Sequence, residues 1–157
     1  MKKLLISSSV LAIGVGIIMV LGGAWATMFT YQNVSQEKIV TPEDASIPNT
    51  PVRGPLTLKS QADIIRKHTL HVTENKTYAE MPRQIAKVDE KGKPVLDKDG
   101  KPVMVVNDAR NMWITATSLI SALHLGIITY LFSGLIVLFG AVSVWTGVVF
   151  AALSKKY

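Results

Sequence analysis

His68, His71 and Glu74 recur at three-residue steps inside "SQADIIRKHTLHVTENKTYAEM", Ser60 to Met81. Imidazole and carboxylate are the donors that hold zinc or non-haem iron. The spacing decides how far that chemistry goes. Helical metal pairs usually stand at i and i+4 on one face, as in H-E-x-x-H. An i, i+3 pair serves in di-iron sites, where other helices bring carboxylates. No second helix of that kind is legible in this segment. His68, His71 and Glu74 are therefore weak metal candidates. The competing reading is a helix end whose histidines cap carbonyls or face solvent.

Other chemistry is thinner still. "DKDG", Asp97 to Gly100, begins like a calcium loop, but an EF-hand needs further oxygen ligands and a terminal Glu. A turn is the better reading. Ser46 and Ser60 sit in no nucleophile elbow, no Gly-rich phosphate loop is present, and cysteine is absent. Asn33-Val-Ser35 and Asn75-Lys-Thr77 match a glycosylation pattern that matters only in a eukaryotic secretory setting. His124 lies in an uncharged stretch and is read as a hydrogen-bonded imidazole at its outer edge. The residues point to no catalytic group and no cofactor, and the chain is read as a non-enzyme.

Charge placement says more. The net charge of +6 resembles that of a nucleic-acid binder, yet no charged residue occurs between Lys3 and Glu37 or between Arg110 and Lys155. All eleven acidic residues fall between Glu37 and Asp108, and the same middle segment, to Arg110, carries thirteen basic ones. Basic side chains diluted by acids and not interleaved with aromatics argue against nucleic acid. The two uncharged stretches are apolar, and a bilayer core needs about 20 such residues in a helix. The expectation is a membrane α-helical fold with two spans flanking a small α+β domain.

The spans are placed at residues 4–30 and, within a long helix at 113–153, at about 127–153. Residues 107–126, with Thr115, Thr117, Ser118, Ser121 and His124, are read as the same helix continuing out of the bilayer. Lys2, Lys3, Lys155 and Lys156 flank the spans, and such flanks are enriched on the cytoplasmic side. Residues 1–3 and 154–157 are thus expected in the cytoplasm, residues 31–112 outside, and the protein in the plasma membrane. Trp25, Tyr31 and Trp113 are expected at the outer interface. Ala24-Trp25-Ala26 resembles a signal-peptidase site, but the apolar run is too long for a signal core, so retention is expected.

Within residues 31–112, the proline-rich part from Pro42 to Pro55 reads as an extended arm, with a short helix start at Thr41-Pro-Glu-Asp44. A helix is expected over about 60–72. Ser60 and Asp63 would form its capping box, and Leu58, Ala62, Ile65, Thr69 and Val72 its buried stripe. "DEKGKPVL" and "DKDGKPVM" repeat with a period of eight. They predict two type I turns with glycine bulges joining a three-stranded meander over about 85–106. Its open edges would suit pairing with another chain.

Small residues recur every seven positions in both spans: Ser9, Gly16, Gly23 and Thr30, then Gly126, Ser133, Gly140, Gly147 and Ser154. Such a seam lets helices approach closely with a left-handed crossing. The helix-packing candidates are Gly16, Gly23, Gly126, Ser133, Gly140 and Gly147, within one chain or between copies.

The run "GPLTLKSQADIIRKHTL" with "KTYAEM" resembles a family of small two-span prokaryotic membrane proteins, common in actinobacteria and related lineages. Its members often carry the label aromatic ring-opening dioxygenase. The resemblance covers nearly the whole chain in layout and implies the two-span topology. It implies no catalytic residue here. A dioxygenase would hold iron with His and carboxylate ligands in a cavity. The expected function is a structural or interaction module, an accessory subunit of a membrane or envelope complex. Its expected partners are the lipid bilayer and a protein partner or second copy. The alternatives are a metal-binding enzyme or receptor using His68, His71 and Glu74, and a sensor acting through a partner's spans.

Overall fold

The computed structural model describes residues 1–156. Three helices and one two-stranded sheet follow in the order α1 (Lys2–Gln36), α2 (Pro55–Val72), β1 (Gln84–Ala86), β2 (Met104–Val106) and α3 (Asp108–Ser154). At 1.5 Å per residue, the 35 residues of α1 and 47 of α3 extend for about 52 and 70 Å. Both helices are long and apolar enough to cross a membrane.

α1 and α3 run side by side, and the seven-residue seam lies at their contact. The buried residues of α1 are Ser9, Gly16, Gly23 and Thr30. Those of the matching part of α3 are Ser133, Gly140, Gly147 and Ser154. The backbones touch where side chains are missing. A Cβ at Gly16 would lie 2.6 Å from the Gly140 carbonyl oxygen, and one at Gly140 2.8 Å from that of Gly16. At Gly23 and Gly147 it would lie 2.9 Å from the carbonyl oxygens of Ser133 and Ser9. The pairs run in opposite directions, so the pair is antiparallel and formed within one chain. Ser9 Oγ donates to the Gly147 carbonyl at 2.8 Å, and Ser143 Oγ to that of Ala12 at 2.9 Å. Gly126 belongs to a different contact, because its open side is filled by Leu58 of α2.

α1 and α2 outrun their sequence-based limits, for local reasons, whereas α3 covers the span and the extension read at 107–126. No proline or glycine interrupts residues 31–36, so α1 continues beyond Thr30. It stops where Lys38 turns into the left-handed region at φ 52°. α2 starts at Pro55 and not at Ser60. Proline suits the first helical position, and Thr57 Oγ1 accepts the N–H groups of Arg53 and Gly54 at 3.0 and 3.1 Å. Ser60 is thus freed from capping and sits buried inside the helix, where its Oγ accepts the Ile47 N–H at 3.0 Å and the Ser46 hydroxyl. Asp63 pairs with Lys59 one turn back. The buried face of α2 carries Leu58, Ala62, Ile64 and Thr69, while Val72 is exposed. The arm before α2 folds back on itself, with the Val52 N–H donating to the Ile39 carbonyl at 2.9 Å and no helix at Thr41–Asp44.

The repeat forms turns as its residues require, but the meander is rearranged. Gly92 and Gly100 take φ of 74° and 75°, the conformation that glycine adopts without a steric penalty. Asp89 Oδ1 accepts the N–H groups of Lys91 and Lys93, and Asp97 Oδ1 those of Asp99 and Lys101. The outer segments pair with each other as β1 and β2, with Ile85 opposite Val105. One layer further, Lys87 N–H donates to Val103, Val103 N–H to Val95 and Val95 N–H to Lys87, each at 2.8 Å. Three residues eight apart thereby close a ring. The consecutive segments of the expected three-stranded meander are joined by the bridges Val88–Pro94 and Leu96–Pro102, but its first and third segments also pair with each other and so curl it up.

A small core joins this part to the helix pair. Val52, Leu58, Ala62 and Leu123 pack together, flanked by Val34, Ile39, Ile65, Ile120, Ile127 and Tyr130. Further along α3, Arg66 of α2 lies 5.9 Å from the Trp113 ring centroid. Arg110 stacks 3.9 Å over Tyr78 and donates to the Met81 carbonyl.

Leucine at Gly16 or Gly140 should force the helices apart and cost about 1–3 kcal/mol or more, the range for overpacked contacts. Leucine at Gly14 or Gly134, where nothing lies within 4 Å, should be tolerated. Thermal unfolding of the four variants in one detergent checks the difference.

Candidate functional site

The His68, His71 and Glu74 side chains do not converge. α2 ends at Val72, and Glu74 and Asn75 both take positive φ, which turns the chain away. Glu74 then pairs with Lys76 at 2.8 Å. His71 is exposed beside Asp63, Arg66, Lys67, Leu70 and Asn75. His68 Nε2 meets Asp44 Oδ2 at 2.9 Å, and Lys67 Nζ reaches the same oxygen at 3.3 Å. Among the described residues, no three His, Cys, Asp or Glu side chains are grouped to hold a metal. His68 instead ties α2 to the arm. Its hydrogen bond, followed by that of Lys67, holds the Asp44 carboxyl below the usual aspartate range.

His124, expected to be hydrogen-bonded, is exposed on α3 and makes no side-chain hydrogen bond to the described residues. Trp113 also departs from expectation. It stands 17 residues, or about 25 Å, along α3 from Tyr130, covered by Arg66, and cannot share a boundary with Tyr31.

Two concave regions surround the junction of arm and helix pair. A cleft of about 560 Å³ lies between the end of α1, α2 and α3, lined by Val34, Ile39, Leu58, Ile65, Leu119 and Leu123. The Gln61 amide oxygen, which also lines it, is buried without a hydrogen-bond partner.

The second region centres on Arg53, and periodicity along the chain gave no sign of it. Tyr130 Oη donates to the Arg53 carbonyl at 2.6 Å, and the Arg53 guanidinium lies 3.4 Å from Tyr31 Oη. Below this point, Ala24, Thr27, Met28, Tyr31 and Tyr130 line an apolar groove of about 450 Å³. Above it, Ser35, Lys38, Ile39, Val40, Pro51, Val52 and Arg53 enclose a pocket of about 180 Å³. Ser35 Oγ is buried there with no hydrogen-bond partner. Neither Lys38 nor Arg53 forms an ion pair with the described residues.

Because the Asp44 value is depressed in the folded state, its stabilising contribution is present above the ordinary carboxylate range. It is lost as pH falls through the depressed value. An NMR titration should place the Asp44 midpoint below that of a free aspartate, and His68→Gln should move it up. An unchanged midpoint in His68→Gln would show that the histidine is not the cause. Comparison of the chain with protein-family models, curated proteins and solved structures returns no match.

Proposed function

We propose that the protein is a two-span membrane protein whose outer domain is an interaction module, serving as an accessory subunit of a membrane or envelope complex. One observation carries this reading: the helix pair buries glycine and serine and turns its large apolar side chains outward. Leu4 is 71% exposed, Leu21 66%, Leu131 61% and Trp145 70%. A soluble protein would bury such residues, whereas a bilayer solvates them and leaves small residues for helix contact. The lysines at residues 2, 3, 155 and 156 support cytoplasmic ends by the positive-inside rule.

The interaction role draws support from the outer domain. Its sheet region leaves Ile85, Val88, Leu96, Met104 and Val106 exposed. The layout resembling small two-span prokaryotic proteins is consistent with the two-span topology.

Alkaline extraction should leave the protein in the membrane pellet. The cysteine-free chain suits labelling of introduced thiols. Asp99→Cys should react with an impermeant maleimide in intact cells, and Lys156→Cys only after lysis. The opposite pattern would invert the topology. Purification from native membranes in mild detergent should bring a stoichiometric companion, and a lone monomer would remove the accessory-subunit role.

A further inference from the structure

We infer that Arg53, Lys38 and Ser35 form the headgroup site of one phospholipid, whose acyl chain lies in the groove along Ala24, Met28 and Tyr31. Ala24, Met28, Tyr31 and Ser35 follow one another at three- or four-residue steps on α1 and so share one face. That face changes character along its length. At Ala24, Thr27 and Met28 it is an apolar groove continuous with the outward surface of the helix pair. At Tyr31 the groove meets a guanidinium, 3.4 Å from the phenol oxygen. One turn on lies a separate small pocket, lined by Arg53 as well, with a buried, unpartnered hydroxyl and two cations outside any ion pair among the described residues. A phospholipid has the same order of parts: a hydrocarbon chain, a glycerol at the boundary, then a phosphate.

Charge favours a phosphate over a neutral headgroup. The C-terminal end of α1 brings about −0.5 charge to this region, and the N-terminal end of α2, beginning at Pro55, about +0.5. The two cancel to first order, which leaves the side-chain charges: Lys38 and Arg53 line the pocket, while the one nearby acid at the end of α1, Glu37, lines the neighbouring cleft instead. Guanidinium matches phosphate oxygens with a planar fork of donors. Ser35 Oγ supplies a donor that otherwise has none to satisfy. Arg53 is held for this task from the backbone side, since its carbonyl accepts from Tyr130 and its N–H is taken by Thr57.

This site rests on the membrane reading above, but its test does not depend on topology. The full chain, delipidated in a neutral detergent, is titrated with dioleoylphosphatidylglycerol, with dioleoylglycerol and with inorganic phosphate, and followed by native mass spectrometry. One phosphatidylglycerol should bind at least about tenfold more tightly than dioleoylglycerol, given roughly fivefold per basic residue at a lipid surface. The Lys38→Gln/Arg53→Gln variant should lose that preference, while Lys155→Gln/Lys156→Gln should keep it. Ala24→Phe, which fills the groove, should weaken the phosphatidylglycerol adduct. Equal loss in both lysine-containing variants would mean diffuse attraction and overturn the site. So would equal binding of the two lipids, or displacement of the lipid by millimolar phosphate alone. Failure here with retention in the alkaline pellet would leave the membrane assignment standing. Release from the pellet would remove that assignment itself.

Discussion

The close approach of two backbones at Gly16 and Gly140 is the contact on which the remainder is built. Each carbonyl oxygen occupies the space in which the partner's Cβ would stand. In a bilayer no hydrophobic force drives helices together, so association depends on packing and on interhelical hydrogen bonds. In that setting the two serine bonds across this interface would supply only about 0.6 kcal/mol each, the average for such bonds. Most of the attraction must come from dispersion along the seam, which is steep in distance. Seven-residue spacing in both helices keeps that seam aligned over several turns.

The small domain between the two long helices depends on the same pair. It has no disulfide, and its buried apolar residues number only a few. A unit of that size is marginal by itself. Leu58 lies on Gly126 because that glycine leaves room for it, and Leu123 completes the core. The long extension of α3 thus acts as the wall of the domain. Arg66 on Trp113 adds a second attachment of α2, and Arg110 on Tyr78 attaches the segment after α2 to the same wall. Such cation–π contacts contribute about 0.5–1 kcal/mol each where exposed.

Junctions between separate segments are where chemical groups meet. Arg53, Tyr31 and Tyr130 come from the arm, α1 and α3, and meet at the height where the arm crosses the helix pair. His68 and Asp44, 24 residues apart, join α2 to the arm. The histidine spacing that looks most like a metal site is broken by the left-handed turn at Glu74 and Asn75.

Much of the architecture was legible in the residues alone. Uncharged apolar length specifies the two long helices, because local periodicity and hydropathy need no partner to be read. The heptad of small residues marks the helix-contact face, and Asp-x-x-Gly with its eight-residue period dictates the glycine-bulged turns. The start of α2 is not legible in this way, because Pro55 and Thr57 outcompete the Ser60–Asp63 pair for the cap, and a cap is decided between alternatives. Only the tertiary structure decided that the seam closes within one chain, that Gly126 serves α2 and not α1, and that the repeat curls into a closed ring. It alone brought Ser35, Lys38 and Arg53 together beside Tyr31 and Tyr130. Each of these depends on which distant backbone arrives at a given place, and no local spacing along the chain encodes that.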